Sequence, residues 1–123
     1  MPANPAIWFE IYVQDMSRAK AFYESVFQVK LERLDSTEIE MWGFPMEMNG
    51  PGASGSLVKM KGVASGGNST LVYFSCKDCA VEADRVAKYG GSLERAKMPI
   101  GKYGFIALAV DTEGNMIGLH SMK

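Results

Sequence analysis

The feature that most constrains this chain is an internal repeat. Residues 7–13 (IWFEIYV) form an alternating apolar run, closed by Asp15 and followed by a helical pattern from Met16 to Phe27. Residues 71–76 (LVYFSC) do the same, ending at Asp78 before a helical pattern from Cys79 to Tyr89. Past each helix a short signal recurs, Leu31-Glu32-Arg33 and then Leu93-Glu94-Arg95. A unit of this size buries too little surface to stand alone and must pack on its twin. Two such units leave a cleft, and clefts admit small molecules.

Composition removes several classes of function. Thirteen basic residues against fourteen acidic ones leave a formal net charge of −1, with no surplus for a phosphate backbone, so no nucleic-acid partner is expected. No apolar run approaches the ~18 residues of a membrane span, and the opening MPANPAIW has neither basic start nor apolar stretch, so no membrane partner and no secretory signal are expected. Two cysteines without a disulfide framework fit a cytoplasmic protein.

In the first strand Ile7, Phe9, Ile11 and Val13 share one face, expected under the helices, and Trp8, Glu10 and Tyr12 share the other. Asp15 and Asp78 suit the N-caps of the two helices, and Gly90-Gly91 suits the end of the second. Strands are expected near Lys30–Asp35, Glu38–Phe44 and Ser56–Met60, then near Ser92–Lys97, Gly104–Val110 and Asn115–Ser121. Each half therefore reads βαβββ. Residues 1–123 are read as one α+β domain, with module 1 at about 5–61, a flexible linker at about 62–69 and module 2 at about 70–123. Residues 111–115 (DTEGN) read as a turn between the last two strands.

This order, with Val13-Gln14-Asp15 before a helix carrying Ala21-Phe22-Tyr23 and the closing DTEGNMIGLH from Asp111 to His120, resembles the vicinal oxygen chelate superfamily. That superfamily includes glyoxalase I, bleomycin-resistance proteins and extradiol dioxygenases; the match is to an uncharacterised glyoxalase-like branch. The resemblance implies two βαβββ modules forming a cupped eight-stranded mixed sheet with helices outside, and a homodimer. In metal-dependent relatives a His early in a half's first strand and a Glu in its last strand hold a divalent ion. Those positions here are Trp8, Leu71 and Gly118, with no matching Glu in Ser56–Met60. An indole, an isobutyl group and a hydrogen offer no lone pairs to a metal, so no metal and no cofactor are expected.

The expected function is metal-free binding of a small, partly aromatic organic molecule in the cup. Two alternatives stay open: a metal-dependent lactoylglutathione lyase-like or dioxygenase-like enzyme using ligands outside these positions, and a metal-free enzyme with Glu10 as base. Whether the chain is an enzyme is left undecided at this level. The candidate lining is Trp8, Glu10, Tyr12, Trp42, Tyr73, Met116 and His120, with Met41 as a further possibility. Glu10 and His120 are the candidate catalytic groups; the commoner readings are a rim carboxylate for Glu10 and a polar residue in a terminal strand for His120. Residues 50–55 match G-x-G-x-x-G, but a strand follows and Pro51 removes an amide, so the stretch reads as a loop. Cys76 and Cys79 form a C-x-x-C that reads as structural filling.

Overall fold

A computed structural model describes residues 4, 6–35, 39–47 and 49–123. The elements are β1 (Trp8–Tyr12), α1 (Met16–Phe27), β2 (Glu32–Arg33), β3 (Glu40–Gly43), β4 (Ser54–Lys59), β5 (Val72–Ser75), α2 (Cys79–Lys88), β6 (Ser92–Pro99), a 3-10 turn (Gly101–Tyr103), β7 (Phe105–Val110) and β8 (Met116–Ser121). The βαβββ unit thus occurs twice. Expected starts at Pro5 and Glu38 lie outside the described residues.

The eight strands divide into two four-stranded mixed sheets, ordered β1-β4-β3-β2 and β5-β8-β7-β6. In each, the first strand runs parallel to the last and the remaining pairs are antiparallel. β1 and β5 are therefore edge strands, and among the described residues no backbone hydrogen bond joins them. Side chains close the seam instead, with Phe9 of β1 and Phe74 of β5 edge to face at 5.9 Å.

Both helices start where an aspartate satisfies a free amide: Asp15 accepts from Arg18 N and Asp78 from Ala80 N, each at 3.0 Å. The α1 stripe Met16, Ala19, Phe22, Tyr23 and Val26 is buried. It joins Ile11, Val13 and Leu57 from its own module and Ala83, Val86, Ala107, Ile117 and Leu119 from the other in one core. Each large side chain there contributes about 1.5–3 kcal/mol. Gly91 follows α2 where a Cβ would lie 2.5 Å from the Val110 carbonyl oxygen, so the close approach of helix end to β7 requires glycine. Ile7 departs from expectation: it precedes the first ladder pair, Trp8 with Ser54, and is 77% exposed rather than tucked under a helix.

Residues 111–115 do more than turn the chain. Asp111 Oδ1 accepts from the amides of Glu113 and Asn115, and its Oδ2 accepts from the Tyr23 hydroxyl of α1 at 2.6 Å. Glu113 reaches across to module 1, where its carboxylate accepts from the Gln14 and Asp15 amides and from Arg18. Burial alone would raise the Glu113 pKa; the Arg18 guanidinium, the two amides and the Thr112 hydroxyl overcome it and bring it down to about 2. The expected flexible linker is also held. Ser65 donates to the Glu113 carbonyl, Gly66 N to Asn115 Oδ1, and Asn68 bonds Met116 through both amide and carbonyl groups.

Candidate functional site

Alternation along β1 carries Trp8, Glu10 and Tyr12 to the face away from α1, since Ile11 between them pairs with buried Leu57. Tyr12 OH donates to Glu10 Oε1 at 2.9 Å and Trp8 Nε1 to Glu10 Oε2 at 3.3 Å. The bond to Glu10, with some burial and the carboxylate's charge, raises the Tyr12 pKa, so its hydroxyl remains a donor. The three side chains act as one braced stripe.

This stripe forms one wall of a cavity of about 460 Å³. The opposite wall comes from the linker and module 2, including Asn68, Thr70 and Met116. Asn115 fixes the junction by donating to the Tyr12 carbonyl at 2.9 Å. The structure therefore brings together four of the seven residues proposed from sequence: Trp8, Glu10, Tyr12 and Met116. Asn68 in the linker and Thr70 just after it were missed because this Gly/Ser-rich stretch reads as a connector, and the anchorage of Asn68 to Met116 is a long-range contact with no local signature.

The other three lie elsewhere. Trp42 pairs with Leu57, whose partner on the far side is Ile11, so it falls on the helix side of its sheet. There Lys20 of α1 places its ammonium 3.4 Å from the ring centroid, and the indole NH donates to Glu40. Period two puts Met41, not Trp42, on the Trp8 face. Tyr73 lines a second cavity. His120, four positions along β8 from Met116, pairs with Ser75 and Ile106, and its Nε2 donates to the Tyr103 carbonyl at 2.7 Å. That bond fixes its tautomer and ties it to the 3-10 turn before β7.

The positions that hold metal in metal-dependent relatives can be tested against the donor set. At Gly118 a Cβ would stand 2.2 Å from the Tyr73 ring, so the aromatic ring lies over the bare backbone where a ligating side chain would emerge. In module 1, Ser56 faces Glu10 as Gly118 faces Tyr73, and supplies only a hydroxyl, fully buried and without a hydrogen-bond partner. Among the described residues no group of three or more His, Cys, Asp or Glu could hold an ion. These residues do not fit a divalent metal. Cys79 is buried and Cys76 half-buried, both free; burial and the neighbouring Glu82 charge push the Cys76 thiol up to about 12, which keeps it protonated and inert.

No helix among the described residues is long and apolar enough to cross a membrane. No curated protein matches the chain. Solved structures do. A hypothetical protein from S. aureus superposes with a TM-score of 0.73 at 15% identity, covering 98% of this chain and 95% of that one. TnmS3, an antibiotic binding protein from Streptomyces sp. CB03234, gives 0.70 at 21% identity and 98% of both chains. A glyoxalase I variant from Zea mays gives 0.76 at 22% identity, covering 96% of this chain but 46% of that one, so the present chain spans about half the maize enzyme. At these identities the likeness is one of fold. The family model of the Glyoxalase/Bleomycin resistance protein/Dioxygenase superfamily matches residues 6–119, and the chain belongs to that superfamily.

Proposed function

We propose that the chain binds a small, partly aromatic organic molecule in the cavity between β1 and the start of β8, without a metal. The observation that carries this reading is the braced Trp8–Glu10–Tyr12 stripe, an aromatic wall with a fixed carboxylate and Met116 opposite. Aromatic faces bind a flat ligand by area, methionine adapts to its outline, and a preset acceptor orients it. A structural neighbour of nearly the same length, TnmS3, is an antibiotic binding protein, which supports a binding role without assigning this chain's ligand. The outer edge strands β2 and β6 and the partly exposed Trp8 and Tyr73 support a homodimer that covers such surface. A reduced, cytoplasmic setting agrees with the two free cysteines.

The test is a thermal-shift screen of small aromatic compounds on protein purified without a chelating tag. A bound ligand raises the melting temperature by mass action, and Trp8 emission, read in a Trp42→Phe background, should change with the same midpoint. Glu10→Gln should weaken such ligands about tenfold. Stoichiometric zinc, nickel or iron in the purified protein would overturn the reading, as would hits whose affinity is indifferent to Trp8→Ala. Any hit is then tested for turnover, which would convert the binder into an enzyme.

A further inference from the structure

The seam between β1 and β5 has two ends, and the second also opens into a cavity, of about 380 Å³. Its walls are Phe9, Phe27, Phe44 and Phe74, with Ser75 and Glu82 at one side. The four rings contact one another, Phe27 and Phe74 stacking at 4.5 Å and Phe44 and Phe74 meeting at 5.5 Å, so the wall is rigid. Glu82 of α2 is the one charged residue among the described lining residues. Its Oε1 is buried and has no hydrogen-bond partner. The Cys76 thiol interacts with the Glu82 carboxylate but is a weak donor, so the buried acceptor has lost water without receiving a strong donor in return.

We propose that this second cavity is a binding site for a protonated amine with a compact apolar body, its N–H groups directed to the Glu82 carboxylate and its body against the phenylalanines. Three features select that chemistry. The unpartnered oxygen calls for a donor, and a charged donor is worth roughly twice a neutral one. Aromatic faces attract a cation and give an anion nothing. No lysine, arginine or histidine among the lining residues competes for Glu82. The last torsion of a glutamate is broad, so either oxygen can turn toward the cavity. The neighbouring Cys76 thiol, kept neutral by burial and by Glu82, leaves the carboxylate as the sole charge there. The site shares neither Glu10 nor Trp8 with the cavity at the other end and stands whether or not that one binds a ligand.

The probe is 2-phenylethylamine, with 2-phenylethanol and 3-phenylpropanoate as neutral and anionic controls of similar size. Each is titrated into the intact chain and followed by amide NMR shifts. The amine should shift Ser54, Ser75 and Glu82 saturably, bind at least tenfold more tightly than the alcohol, and leave the propanoate far behind. Glu82→Gln, which keeps the side chain's shape, should abolish the preference for amine over alcohol. In the same variant the Cys76 thiol should titrate lower than in the wild type, a readout that needs no ligand and reports on the loss of the Glu82 charge. Equal affinity for amine and alcohol, unchanged amine affinity in Glu82→Gln, or shifts confined to Glu10 and Tyr12 would each overturn the proposal, as would no saturable shift.

Discussion

The two modules share a plan but are fastened differently at corresponding points. The N-terminus of α2 is served locally: Asp78 caps it and Ser121, from the same module's last strand, accepts from Cys79 N at 3.0 Å. The N-terminus of α1 is served from across the molecule, because Glu113 of module 2 takes the Gln14 and Asp15 amides and clamps Arg18. The loop that would return the favour, residues 44–53, keeps its recorded hydrogen bonds to itself and to β4 among the described residues. This turn is thus the hydrogen-bonded clasp on the start of α1, added to the shared core, the Phe9–Phe74 seam and the Arg85–Val26 bond that also join the modules.

Because of that difference, Glu113→Gln should be the most damaging conservative substitution, costing roughly 3 kcal/mol in urea unfolding, since several donors lose a buried charged acceptor. Its pH dependence has a definite sign. The folded-state pKa is depressed from 4.5 to about 2, so the stabilisation is fully present above 4.5 and is lost as pH falls toward 2. Wild type should therefore lose stability across that window more steeply than the Gln variant. Parallel acid profiles for the two would place the clasp elsewhere.

Tyr23→Phe should come next, at about 2 kcal/mol, since it removes one buried donor from Asp111 while leaving the ring's packing intact. The Tyr23 pKa is raised well above its usual value, by burial first and by Asp111 after, so the hydroxyl stays a donor through neutral pH. Ser121→Ala tests the local fastening of module 2 and should cost about 1 kcal/mol, the Cys79 amide bond and an outer bond to the Lys123 carbonyl with little change of volume. A cost for Ser121→Ala equal to that for Glu113→Gln would erase the distinction between the modules.

Much of this architecture could be read from residue order. Period two in IWFEIYV placed the Trp8–Glu10–Tyr12 stripe, and the Asp15 cap with the stripe Ala19, Phe22, Tyr23 and Val26 set α1 from Met16 to Phe27. Trp42 was misplaced because EMWG is four residues long with bulk on both faces, and its phase is set by pairing with Leu57. The clasp escaped for a related reason. DTEGN has every local mark of a turn and is one, but the use of Glu113 depends on amides nearly a hundred positions away. Local chemistry announces elements; partnerships between modules leave no periodic trace.

The sharpest remaining comparison concerns the two corresponding positions on the strands, Gly118 under the Tyr73 ring and Ser56 opposite Glu10. Ser56 Oγ is buried with no partner, so its hydroxyl has been dehydrated without compensation. Ser56→Ala deletes that group at nearly constant volume and should leave stability unchanged or raise it by up to about 1 kcal/mol. A loss instead would mean that the hydroxyl makes a hydrogen bond in solution beneath the strand pair in which it faces Glu10.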